Sequence, residues 1–170
     1  KKTFKDTKGI IIDIRNYPSS FAPYALGPFF LSKPTAFTKF TFANPKNPGE
    51  FTFTNPVTIN HDPLYYKGKL IILVNEISQS QAEFTAMAFR AVSNSKIVGS
   101  TTAGADGNVS VILLPGGLRT SISGIGVYYP DGTETQRVGI IPDIIVKPTI
   151  KGIKEGRDEV LDKALELINN

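Results

Sequence analysis

The sequence predicts an α/β domain, and three observations carry the prediction. Two short runs, Ile10-Ile11-Ile12-Asp13-Ile14 and Leu70-Ile71-Ile72-Leu73-Val74, are apolar and rich in β-branched residues, as strands covered on both faces are. Behind the second run, Ala82, Met87, Phe89 and Val92 are spaced for one face of a helix, Asn94 and Ser95 end it, and Lys96-Ile97-Val98-Gly99 follows as a third strand. A succession of strand, helix and strand favours parallel pairing. At the far end, the stretch from Asp158 to Ile168 sets Val160, Leu161, Ala164, Leu165 and Ile168 on one side of an amphipathic helix.

The remaining elements fall around this frame. Lys1-Lys2-Thr3-Phe4-Lys5-Asp6 has no starting methionine and runs at once into a strand, so residues 1–170 are expected to be a single domain that lacks an N-terminal part. The first strand ends in a polar group, Arg15-Asn16-Tyr17-Pro18-Ser19-Ser20. From 21 to 63 Pro, Phe and Thr dominate with little helical periodicity, and alternation in Phe37-Thr38-Lys39-Phe40-Thr41-Phe42 and Phe51-Thr52-Phe53-Thr54 suggests two exposed strands about a turn at 44–49. Segment 21–63 is therefore expected to be a β insertion, a lid or the wall of a groove. After the third strand comes a glycine-rich turn, 101–108, and then Val109 to Leu114, Leu118 to Ile122 and Ile125 to Tyr129, which read as one antiparallel set.

Composition excludes several function classes. With 170 residues, 41% hydrophobic and 20% charged, the chain is ordinary for one globular domain with a sizeable core. No stretch approaches the roughly 18 to 20 apolar residues of a membrane helix, so the chain is not expected to span a membrane. The net charge of +4 comes from lysines spread over the whole length, without the basic, aromatic-interleaved face that a nucleic acid requires. Absence of cysteine removes disulfides, thiol catalysis and cysteine-ligated zinc, and leaves the redox compartment open. His61 is the single histidine, so neither a metal site nor a cofactor is expected. Gly104 and Gly107 lack the Lys and Ser/Thr that complete a phosphate-binding loop.

The segment Asn75-Glu76-Ile77-Ser78-Gln79-Ser80-Gln81-Ala82-Glu83 joins the second buried strand to the helix. Ser80 with Glu83 three positions on is a capping box, in which each side chain serves the other's backbone N–H. The same placement presents a hydroxyl at a helix N-terminus, where unpaired N–H groups and the helix dipole can receive an oxyanion. Both readings stand on these residues alone.

Several segments, in this order, resemble the C-terminal processing (tail-specific) serine peptidases, a family that includes the tricorn-type proteases. Gly9 to Ser20 resembles the family's strand ending in Asp-Leu-Arg-x-Asn-Pro-Gly-Gly, and Lys67 to Glu83 its nucleophile segment, whose serine precedes a glutamate by three. Val98-Gly99-Ser100-Thr101-Thr102-Ala103-Gly104 resembles its Gly-x-x-Thr-x-Gly turn. Tyr129-Pro130-Asp131-Gly132, Gly139-Ile140-Ile141-Pro142-Asp143 and the last helix resemble its late signatures. The resemblance implies an α/β fold of the spiral ββα kind shared with the Clp protease and crotonase superfamily, with a mixed twisted sheet.

It also implies a serine endopeptidase forming an acyl-enzyme at Ser80, with the backbone N–H groups of Gln81 and Ser19 at the oxyanion; Ser19 stands where the family usually has glycine. The processing branch keeps its base, a lysine, at the place of Ala105, so a Ser–Lys pair is not expected. The tricorn-type branch uses a histidine from an upstream segment and a glutamate three positions before the late glycine. Here that position is Gln136, and Glu134 lies two residues earlier. The base is then expected from upstream of Lys1, and the piece alone to be inactive, while His61 reads as a solvated loop histidine. Asp13 and Arg15 read as structural, with Arg15 pairing a carboxylate, Asp143 or Asp13. Polypeptide substrates, an upstream peptide-binding domain and a periplasmic, secreted or lipid-anchored location are further expectations from the resemblance. Ala105 also supports another reading, an inactive peptide- or glycan-binding module on the same scaffold.

Overall fold

The computed structural model describes residues 6–170; Lys1 to Lys5, in which the chain is expected to enter its first strand, lie outside the described residues. Four strands, β1 (Gly9–Asp13), β5 (Lys69–Val74), β6 (Ser95–Gly99) and β10 (Ile144–Ile145), form an all-parallel sheet in the order β1-β5-β6-β10. Its centre is β5, and the period-2 alternation of a strand divides this run cleanly. Leu70, Ile72 and Val74 pack with helix α2 (Gln81–Arg90), and Ile71 and Leu73 pack with Val160 and Ala164 of helix α4 (Glu159–Asn169). Both faces are covered, so an unbroken apolar run is what this strand requires.

β1 has the same composition and a different fate. Among the described residues it is the sheet's edge, with β5 as its one neighbour, and its residues are half-buried, with Asp13 exposed, where the sequence predicts burial on both faces. Arg15, just past its end, donates to both Asp13 (2.6 Å) and Asp158 (2.7 Å), and Asp158 also caps α4 by accepting from the Leu161 N–H at 3.0 Å. Asp13 is one of the two partners expected; the other, Asp143, pairs instead with Arg90 at 3.3 Å. Arg15 thus fastens the start of α4 to the end of β1.

A second, antiparallel sheet has β2 (Thr35–Ala43) between β3 (Phe51–Phe53) and β4 (Val57–Ile59). Segment 21–63 supplies these strands and a short helix, α1 (Ala22–Leu26), which opens with Pro23 in its first turn. Phe30, Leu31, Phe37 and Ile59 from this segment join the same core as α2 and β5. β7 (Val109–Leu113) and β8 (Arg119–Ser123) form a separate hairpin. The third strand expected in that set, β9 (Val127–Tyr128), pairs with β2 instead, because Val127 is buried in the main core while every residue of the hairpin is exposed. A five-residue helix, α3 (Ile150–Lys154), precedes α4. The whole is a mixed α/β fold with parallel and antiparallel sheets.

Candidate active site

The turn after β5 is built by its polar residues. The Asn75 side-chain oxygen accepts from the Ile77 and Ser78 N–H groups, and the Ser78 hydroxyl, buried, donates to the Ile14 carbonyl at 2.9 Å. Ser78 is therefore spent on joining this turn to the end of β1. Ser80 is half-buried, sits at the N-terminus of α2 and has φ +52°, ψ −117°. A non-glycine residue in that region stores on the order of 1–3 kcal/mol of backbone strain, and such residues cluster at functional sites.

Glu83 holds the strained turn. Its carboxylate is buried and accepts four hydrogen bonds: Ser80 N–H (3.1 Å) and Ala105 N–H (2.9 Å) on Oε2, Thr102 O–H (2.5 Å) and Gly104 N–H (2.7 Å) on Oε1. The Thr102 oxygen in turn accepts from Ile140 N–H at 2.7 Å, and Ala103 N–H donates to the Ser78 carbonyl at 3.0 Å. One carboxylate thus locks the serine turn, the glycine-rich loop and the late Gly139-Ile140 segment together. The sequence shows only the capping half of this role.

Ser80 opens on a cavity of about 260 Å³ whose walls include Tyr17, Phe21, Phe40 and Phe84. Phe84 stacks on Phe21 and Phe40, with ring centroids 5.7 and 6.1 Å away. Past Ile125, Val127 and Asp106, which border both, lies a wider cavity of about 620 Å³ that reaches Glu134, Gln136 and Arg137. The model for peptidase family S41 matches residues 1–146. The chain belongs to that family. Among solved structures, this S41 chain is similar to a Parabacteroides merdae protein described as a candidate peptidase, at 25% identity and TM-score 0.88 over 98% of this chain and 54% of that one. It is also similar to mature CPAF complexed with lactacystin (22%, 0.81, 99% and 46%) and to the photosystem II D1 C-terminal processing protease (20%, 0.62, 83% and 35%). The chain spans about half the length of the first two. None of the curated proteins matches.

Within the S41 frame, the residues expected at the site take these places. Gln81 donates its side-chain N–H to the Ser20 carbonyl at 2.7 Å, tying the loop after β1 to the start of α2. Ser19, exposed, adopts a negative φ, so serine meets no conformational obstacle where glycine is usual. The Gln136 amide donates to the carbonyls of Asp106 (2.7 Å) and Ile125 (2.9 Å), and its oxygen accepts from Val127 N–H at 3.3 Å. Glu134 is exposed and faces Arg137 at 3.6 Å. His61 is exposed in the loop after β4 and borders neither cavity. No titratable side chain among the described residues is hydrogen-bonded to the Ser80 hydroxyl, and none of their His, Asp and Glu side chains gather into a metal-binding group of three or more.

Asp106, unmarked in the sequence, is a second buried acid of this site. One carboxylate oxygen accepts from Gly107 N–H at 2.7 Å; the other, Oδ2, is buried with no partner. Burial pushes its pKa from 3.8 up to about 7, against the Gly107 hydrogen bond and with a further push from the Glu83 charge. In the sequence Asp106-Gly107 reads as turn chemistry, and no local signal distinguishes it.

Proposed function

We propose that the chain carries the nucleophile and oxyanion donors of a serine endopeptidase of the tail-specific or tricorn-like kind. The observation that carries this reading is Ser80 itself, strained to a positive φ at a helix N-terminus, braced by Glu83 and open to a cavity. In the reaction, Ser80 Oγ attacks the scissile carbonyl carbon while a base takes the hydroxyl proton, and the N–H groups of Gln81 and Ser19 receive the developing oxyanion. The base then returns that proton to the leaving amine, and water hydrolyses the acyl-enzyme by the same steps.

A serine hydroxyl needs such a base within hydrogen-bond reach. In this reading it is a histidine from a segment upstream of residue 1, oriented from the side of Gln136 or Glu134. The substrate is a polypeptide lying as an added strand on a sheet edge, an upstream domain presents it, and the protein works outside the cytoplasm. A fluorophosphonate probe should label the full-length protein and fail on Ser80→Ala; labelling that survives the substitution refutes the assignment. The 170-residue piece alone should label weakly, and brisk labelling would place the base inside it.

A second reading, a non-catalytic peptide- or glycan-binding module, is favoured by Ala105 at the place of the processing branch's lysine. It wins if the full-length protein, with the region before Lys1 intact, never labels.

A further inference from the structure

We propose that the aromatic cavity beside Ser80 receives the substrate side chain on the carbonyl side of the cleaved bond, and that Asp106 makes this pocket select lysine and arginine. The inference rests on the peptidase reading of Ser80 and adds to it a class of substrate.

The pocket's walls suit a long aliphatic stem. Phe21, Phe84 and Phe40 form a continuous stack, Tyr17, Ile125 and Val127 extend it, and about 260 Å³ admits a side chain of lysine or arginine size. Among the described residues its one acid is Asp106, and no lysine, arginine or histidine borders it. A buried carboxylate oxygen without a donor is costly, and proteins rarely keep one unless something arrives to pair with it. Oδ2 of Asp106 is such an oxygen.

Among the described residues, the neighbours of Asp106 offer it no cation. Glu83 carries the same sign and has its oxygens occupied by four donors, while across the adjoining cavity Arg137 faces Glu134. Burial raises Asp106 to about 7, so at about pH 8 its carboxylate is charged. An ammonium or guanidinium entering the pocket would supply the donor and the charge together, with the aromatic faces adding cation–π attraction. A leucine or norleucine side chain would fill the walls and leave Oδ2 unpaired.

The test uses the full-length Ser80→Ala protein, in which binding is read without cleavage. Dye-labelled acetyl-Ala-Ala-Lys and acetyl-Ala-Ala-norleucine peptides are titrated by fluorescence anisotropy at about pH 8. The lysine peptide should bind about tenfold tighter or better, as a desolvated charge pair allows, and the preference should fall to within about twofold when Asp106→Asn is added. At about pH 5, where the carboxyl holds its proton, the lysine peptide alone should weaken. Equal binding, a norleucine preference, or a lysine preference that survives Asp106→Asn overturns the proposal, and the first two need no variant at Asp106 to fold. Probe labelling judges the nucleophile separately. Ser80-dependent labelling without lysine preference refutes the pocket alone, and lysine preference without labelling refutes the nucleophile alone.

Discussion

Replacing Asp106 by Asn should flatten the dependence of stability on pH. In the folded protein the Asp106 carboxyl titrates at about 7, and in the unfolded chain at the ordinary 3.8. Between those values the folded protein holds a proton that the unfolded chain has released, so this group's contribution is greatest below pH 3.8 and is lost as pH rises through 7. At about 1.36 kcal/mol per pH unit the full loss is about 4 kcal/mol, of which about 3 kcal/mol falls between about pH 5 and pH 8. Asn keeps an oxygen for the Gly107 N–H and carries no charge. Its amide nitrogen, left where Oδ2 was, costs about 1–3 kcal/mol, equally at every pH, so the slope and not the absolute stability is the readout.

Denaturant unfolding of both proteins at several pH values measures it. Groups held below their usual range titrate alike in the two proteins and cancel in the difference, as do Glu76, lowered by its hydrogen bond from Ser100, and Asp158, lowered by those from Arg15. The wild type should lose about 3 kcal/mol relative to Asp106→Asn on going from about pH 5 to pH 8. Parallel curves would show that the Asp106 carboxyl ionises freely in the folded state, and would refute the burial argument.

Three other substitutions probe the frame. Glu83→Gln sets an NH₂ group against backbone N–H donors in place of one oxygen, and should lower stability by about 3 kcal/mol in denaturant unfolding and reduce Ser80 labelling; unchanged stability and labelling would separate Glu83 from the serine turn. Gly99→Ala would put a Cβ 1.8 Å from the Val74 carbonyl oxygen at φ +138°, so no native circular dichroism spectrum is expected from it. Phe89→Ala removes a fully buried ring whose centroid lies 5.7 Å from that of Phe30, and should cost about 3–5 kcal/mol by thermal or denaturant melt.

The fold was legible where a residue's local surroundings decide its state. β5 and α2 follow from an apolar run and a helical spacing because each is buried by elements on both sides. β1 is misread by the same rule: its isoleucines match those of β5, yet its place at the sheet edge, which no local pattern encodes, leaves them half-covered. In α4, Leu165 was expected on the buried face and is 45% exposed, while Leu167 packs with Ile168 against the sheet, a shift set by how the helix lies on β5 and β6.

The acids of the serine turn and the two cavities divide along the same line. Glu83 shows in the sequence because its backbone partner at Ser80 is three residues away; its grip on Thr102, Gly104 and Ala105 does not show, because backbone N–H groups carry no residue signature. Glu134 invites a role by lying two residues before the position where the tricorn-type pattern has its glutamate, and the fold leaves it on the surface beside Arg137. Asp106 has no motif, its one near partner is the Gly107 N–H that any Asp-Gly turn offers, and what sets it apart is a second oxygen that is buried and unpaired. Four donors fix the Glu83 carboxylate in place, so it shapes the serine turn and has no lone pair to spare for a substrate. Asp106 keeps the whole of Oδ2 unpaired, so the proposed recognition of a cationic side chain runs through the acid that the sequence conceals.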